Sequence, residues 1–91
     1  MKYTIAFDVA DDRVRYRVVK TLLEYGYRVQ KSVFEGYLSQ CDVTECIAKL
    51  DAIIDKDTDS VRVYPLCKKC EEQVTILGTG KKIEQLEYII V

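Results

Sequence analysis

Ninety-one residues, 48% hydrophobic and 32% charged, read as a single soluble globular domain near the lower size limit for burying its own core. A net charge of −1 excludes a globally basic nucleic-acid binder, so any phosphate-binding surface has to be local. No apolar run approaches the roughly 20 residues of a membrane span, and the N-terminus shows no signal-peptide pattern. The expectation is a cytoplasmic protein with reduced thiols and no membrane partner.

Tyr3 to Val9 alternates, with Tyr3, Ile5, Phe7 and Val9 on one side and Thr4, Ala6 and Asp8 on the other. That period of two predicts a strand with Asp8 near its C-terminal end. Asp11 or Asp12 supplies an N-cap for a helix whose apolar residues are Val14, Val18, Val19, Leu22 and Leu23. Gly26 is the expected C-cap. Tyr27–Gln30 and Val33–Leu38 read as two short strands about a tight turn at Lys31-Ser32. Ser39 or Asp42 caps a second helix, with Val43, Cys46, Ile47, Leu50, Ile53 and Ile54 at helical spacing. Asp55–Asp59 is a polar turn, Ser60–Tyr64 a strand stopped by Pro65, and Val74–Leu77 another short strand. Gly78-Thr79-Gly80 turns the chain toward an apolar Glu87–Val91 segment.

The order β-α-β-β-α-β defines an α+β, ferredoxin-like fold: one antiparallel sheet, helices on one face, and added C-terminal strand segments. The whole of 1–91 forms one domain, with 74–91 as a strand extension. The helix-free sheet face must meet water or a partner. An apolar Tyr88-Ile89-Ile90-Val91 tail favours pairing with an open sheet edge, either its own or a partner's, and so favours a homodimer.

There is no histidine, so acid–base chemistry would need shifted carboxylates, thiols or lysines, or a metal. For a hydrolase of nucleic acid, a metal-bound water is the favoured nucleophile. Asp8, at a strand end on a small-residue face, is either a turn cap or a ligand. Arg15 falls inside the apolar stripe of the first helix: either it needs a partner there, which Asp8, Glu35 or a phosphate oxygen could provide, or it makes an internal salt bridge or snorkels toward water. Arg13, Arg17 and Lys20 form an exposed stripe. Either that stripe is simply solvated, or Arg13 and Arg17, with Arg28 and Lys31, contact nucleic-acid backbones. Phe34 either stacks a base or belongs to the core.

Cys67-Lys68-Lys69-Cys70 has the spacing of a zinc-knuckle half or a redox pair. A zinc site would have to recruit Cys41 and Cys46, and Cys46 lies on the apolar helix face. Structural zinc is therefore not favoured, and unpaired thiols are the expectation, with Pro65-Leu66 making a tight turn before the pair.

Phe7-Asp8, then Asp11-Asp12 and an arginine-rich helix, resemble the opening of the small CRISPR-associated endoribonucleases of spacer acquisition. Arg28-Val29-Gln30, Ser32-Val33-Phe34-Glu35 and Asp59-Ser60-Val61-Arg62-Val63-Tyr64-Pro65 extend the resemblance, in order, over nearly the whole chain. The resemblance implies a homodimer working beside the CRISPR integrase, binding DNA or RNA and supporting integration of new spacers. It further implies magnesium-dependent phosphodiester hydrolysis, with Asp8 of both subunits at the dimer interface as metal ligands. Arg15 or Arg17 would position the scissile backbone. Many relatives carry Tyr where this chain has Phe7, which removes a hydroxyl near the implied site. The alternatives are a non-catalytic nucleic-acid-binding scaffold, a toxin-type ribonuclease of the virulence-associated group, and a small-molecule-binding regulatory domain on the same fold.

Overall fold

A computed structural model of the chain describes residues 1–78. These run β1 (Lys2–Asp8), α1 (Asp12–Leu22), β2 (Tyr27–Gln30), β3 (Val33–Tyr37), α2 (Gln40–Ile53), β4 (Ser60–Leu66) and α3 (Lys68–Glu72). The strands form one sheet in the order β2-β3-β1-β4, with every neighbouring pair antiparallel. This is the α+β, ferredoxin-like arrangement that the element order predicts.

β1 lies between β3 and β4, and its alternation sorts the two faces. Tyr3, Ile5 and Phe7 are buried, and the register sets Ile5 between Phe34 of β3 and Val63 of β4. Val18 and Leu22 of α1, with Cys46 and Leu50 of α2, close over Ile5, Phe7 and Phe34 to make the main core. Burying each such large apolar side chain contributes roughly 1.5–3 kcal/mol relative to leaving it exposed. Tyr3, Leu38 and Val43 form a smaller cluster at the other end of the same face. Neither main helix covers the face that carries Lys2, Thr4, Ala6 and Asp8.

Both helix starts follow from local chemistry. Asp11 is the N-cap of α1, its Oδ1 accepting from the N–H of Arg13 at 2.8 Å and of Val14 at 3.1 Å. Ser39 caps α2, its Oγ accepting from the N–H of Asp42 at 3.1 Å. Each satisfies donors that the first helical turn leaves without partners.

Four expectations need correction. Gly26 is not a left-handed C-cap, since α1 ends at Leu22 with Leu23 as its cap and only Gly78 has positive φ among the described residues. Its N–H instead reaches back to the Leu22 carbonyl at 3.0 Å. Glycine is required here because a Cβ would sit 2.2 Å from the Glu35 carbonyl oxygen, and one at Gly36 would sit 2.6 Å from that of Tyr25. Pro65 does not stop β4, which continues to Leu66 with Pro65 opposite Tyr3. An outer strand is bonded on one side only, so a residue without an N–H can be accommodated there. Pro65-Leu66 makes no tight turn, because both residues lie in β4 and Cys67 then leads into the short helix α3. Val74–Leu77 forms no strand, since no sheet edge pairs with it among the described residues. The expected Glu87–Val91 segment lies outside the described residues.

The glycine contact sets a first test. Gly26→Ala should cost about 1–3 kcal/mol, because its methyl group drives backbone into backbone with no flexible side chain to yield. Chemical denaturation of the variant checks this, and wild-type stability would contradict the close approach.

Candidate functional site at the Asp8 end of the sheet

Asp8 closes β1 opposite Ser60 of β4. The β2–β3 turn reaches the same end, since Val33 pairs with Ala6 and the Phe7 N–H donates to the Ser32 carbonyl at 3.0 Å. The start of α1 and the Asp55–Asp59 loop also converge there. That end of the sheet therefore carries Asp8, the first turn of α1 with Arg13 and Arg15, and Lys31, with Asp8 on the face opposite α1. Arg17 follows one helical turn further along.

Asp8 is exposed, on the face that the main helices leave open, and its carboxylate has no hydrogen bond or ion pair among the described residues. Phe7 points the opposite way, into the core, with its ring 6.2 Å from that of Phe34. A hydroxyl on that ring would lie across the sheet from Asp8, so the replacement of Tyr by Phe leaves the Asp8 surface unaltered.

The expected partners of Arg15 are not the ones it takes. Its Nη2 lies 2.7 Å from Asp12 Oδ1 and 3.3 Å from the Ala10 carbonyl, while Nε donates to the Val9 carbonyl at 3.3 Å. At 37% exposure its side chain is not buried, and it braces the β1–α1 loop instead of reaching Asp8. Glu35 is taken by Lys2, whose Nζ lies 3.1 Å away.

Arg28 is likewise committed. Its Nε and Nη2 donate to the Lys31 carbonyl at 3.1 and 2.6 Å, and its guanidinium lies 5.8 Å from the centre of the Phe34 ring. Phe34 itself is 1% exposed, so no ring face is open for stacking a base; it is a core residue. Lys31 stands exposed in the turn, while Arg13 and Arg17 are exposed with no partner among the described residues.

Two residues gain roles that sequence reasoning did not assign. Asp59 joins two loops at this end: Oδ1 accepts from the Ala10 N–H at 3.3 Å and the Thr58 hydroxyl at 3.2 Å, and Oδ2 from the Asp55 N–H at 3.0 Å. The Asp55 N–H is the chief reason its carboxyl is held below the ordinary carboxylate range. Arg62 lies exposed on β4 opposite Ala6, placing a guanidinium on the open sheet face. Only the strand register reveals that position.

The opposite end of the sheet has a different character. Lys2 is buried in its pair with Glu35 and lies 5.5 Å from the centre of the Tyr37 ring. Burial opposes the charge on Lys2, yet the pairing with Glu35 outweighs it and holds the ammonium above its ordinary pKa. The Tyr37 hydroxyl donates to Glu71, which anchors α3 over this end. A cleft of about 410 Å³ lies beside it, bounded by Glu24, Asp42, Glu45, Lys49 and Tyr25. Its carboxylates make it a poor seat for phosphate.

The four cysteines do not converge on one site. Cys46 is buried and its thiol is pushed up to about 11 by burial, whereas Cys41, Cys67 and Cys70 are exposed. Among the described residues no three metal-ligating side chains come together.

A four-stranded split βαβ sheet, with a carboxylate and a guanidinium on the face that α1 and α2 leave open and three further guanidiniums on the first helix, defines the class: a small ferredoxin-like α+β protein. The chain belongs to the CRISPR associated protein Cas2 family, whose pattern matches residues 1–74. It is 41% identical over 91 residues to CRISPR-associated endoribonuclease Cas2 4 of Rhodospirillum rubrum, covering 99% of this chain and 73% of that protein. The fold is similar to that of the crystal structure of protein TT1823 from Thermus thermophilus, with a TM-score of 0.80 and 35% identity over 88% of this chain and 93% of that one. It is also similar to a chain of a partial Cas6-RT-Cas1–Cas2 complex, with a TM-score of 0.73 and 32% identity over 93% and 92% of the two chains. No described helix is long and apolar enough to cross a membrane.

Asp59 provides a test of how this end is held. Both of its oxygens accept from donors, so Asp59→Asn turns an amide N–H₂ toward an N–H or hydroxyl and should lower the melting temperature at neutral pH. Because the folded pKa is depressed, the wild-type contribution is full above the unfolded pKa and is lost as pH falls through the folded value. The melting difference between wild type and variant should therefore shrink on acidification. A difference independent of pH would mean that the carboxylate charge is not what joins the loops.

Proposed function

We propose that the chain acts as a homodimer in CRISPR spacer acquisition beside the integrase, where it binds nucleic-acid backbones. We further infer that it hydrolyses phosphodiester bonds in RNA or DNA with magnesium held by the Asp8 carboxylates of both copies. The observation that carries this reading is Asp8 itself: an exposed carboxylate without a partner among the described residues, on the face of a Cas2-family sheet that α1 and α2 leave open. The related endoribonuclease and the related chain from a complex with Cas1 support the activity and the partner.

One carboxylate is a weak donor set even for magnesium, which keeps several of its waters. A two-fold axis across the open face supplies a second Asp8 and makes the set adequate. Two facing carboxylates repel one another, so a cation between them also relieves the interface. When bound, magnesium supplies a more acidic water and neutralises charge on the scissile phosphate.

The remaining work belongs to the chain. Arg13 and Arg17 offer guanidinium forks to phosphate oxygens, and Lys31 adds a cation beside the sheet end. Arg62 lies on the open face near the site. Arg15 serves as a positioning residue, holding the Val9 and Ala10 carbonyls so that Asp8 keeps its place.

The enzymatic reading turns on Asp8→Asn. Asparagine fills the same space without the charge, so magnesium-dependent cleavage should fall by ~10²-fold or more. Stability should stay within about 0.5 kcal/mol, because Asp8 supports no other group among the described residues. Nuclease assays and thermal melts on the same pair of proteins measure both. Undiminished cleavage would remove Asp8 from the chemistry and leave a nucleic-acid-binding scaffold.

Binding is tested separately. Arg13→Gln combined with Arg17→Gln should weaken affinity for many sequences alike and reduce the slope of log K against log salt by about one per lost contact. Titrations over a range of salt concentrations measure that slope. An unaltered slope would place the phosphate-binding surface elsewhere.

A further inference from the structure

Cys67-Lys68-Lys69-Cys70 takes no part in the site at the Asp8 end. Cys67 directly follows the last residue of β4 and is the extended N-cap of α3, with φ −68° and ψ 162°, and Cys70 lies in the first turn of that helix. Cβ atoms three apart on a helix surface lie about 5–6 Å apart and a disulfide needs about 3.5–4.5 Å, so closing the bond requires the extended N-cap Cys67, which is outside the helix proper, to swing toward Cys70. The helix is already closed around the pair, since the Glu71 N–H donates to the Cys67 carbonyl at 2.9 Å. Both thiols are exposed, so a small reagent can reach either one.

We propose that Cys67 and Cys70 are a redox-active dithiol that closes to an intramolecular disulfide on reaction with a small anionic disulfide of the glutathione type.

The two sulfurs are not equivalent. The Cys70 N–H first, then the Cys70 side chain and the Lys69 N–H, favour the Cys67 thiolate and hold it below the ordinary thiol range. Cys70 is raised, chiefly by the Cys67 side chain beside it. Cys67 is therefore the attacking sulfur and Cys70 the resolving one. Lys68 and Lys69, both exposed, add local positive charge that suits an anionic reagent. The other two cysteines offer no such pair: Cys46 is buried with a raised pKa, and Cys41 lies at the exposed start of α2.

The chemistry balances in two exchanges. The Cys67 thiolate attacks one sulfur of the disulfide R–S–S–R, forming a mixed disulfide and releasing RS⁻. Cys70 then loses its proton and attacks Cys67 Sγ, forming the Cys67–Cys70 bond and expelling the second RS⁻. The protein loses two electrons and two protons, and the small disulfide becomes two thiols.

The test uses the full-length reduced protein in glutathione buffers of increasing oxidised fraction, followed by alkylation and mass measurement. The expected product is a monomer that has lost two hydrogens, with alkylation remaining at Cys41 and Cys46 and a Cys67–Cys70 link in the digest. Cys70→Ser should trap glutathione on Cys67, and Cys67→Ser should accumulate an adduct on Cys70 several-fold more slowly. Because the wild-type measurement needs no variant, a folding defect in either serine form cannot obscure it. Four alkylatable thiols at every buffer ratio, a link through Cys41, or equal adduct rates in the two variants would each overturn the proposal.

Discussion

β1 is bonded on both edges, and its pleat decides what each of its residues faces. Phe7 and Asp8 are neighbours in sequence but lie on opposite sides of the sheet, one in the core and one in the open. A one-residue slip against β3 would turn Phe7 outward and Asp8 toward Val18 and Leu22. An unpaired carboxylate there would be costly to desolvate, so the core itself enforces the register that exposes Asp8. The hydrophobic packing and the candidate site are thus two consequences of one alternation.

The sheet's two ends use charge in opposite ways. At the Lys2 end, charged groups are satisfied internally: Lys2 binds Glu35, Tyr37 binds Glu71, and α3 is held in place. At the Asp8 end, several acids are engaged locally, Asp11 as a cap, Asp12 with Arg15, and Asp59 with two loops. Arg13 and Arg17 have no such partner among the described residues. A net charge of −1 therefore conceals cations that are available and acids that are occupied, which is why composition is a poor guide to phosphate binding here.

Much of this was legible in the residues, for identifiable reasons. Strict alternation in β1 and the cap chemistry at Asp11 and Ser39 are short-range signals, so the elements they start could be read directly. Gly26, Pro65 and Arg15 depended on what lies across space. The glycine answers to the Glu35 carbonyl, the proline is tolerated because β4 is an outer strand among the described residues, and the arginine chose loop carbonyls over distant carboxylates. Phe34 shows the same limit: an aromatic in a strand is more often core than stacking platform, but only the placed helices decide it. The short helix α3 breaks no rule of propensity, but five residues carry too little periodicity to announce themselves.

The competing account of Asp8, as a turn or helix cap, has lost its task. Capping of α1 is done by Asp11, and the link from the β1–α1 loop to the Asp55–Asp59 loop is made by Asp59. Arg15 braces the same loop through its carbonyls and Asp12, so no counter-charge on Asp8 is needed there. Three neighbouring side chains thus perform the structural work that a strand-end aspartate could have done. What remains at Asp8 is a carboxylate whose exposure is enforced by the core behind it and whose negative charge the described fold does not use. Such a group costs a monomer nothing while it faces water. In the homodimer we propose, it would meet its own copy across a two-fold axis, and a bound cation would then relieve the resulting repulsion.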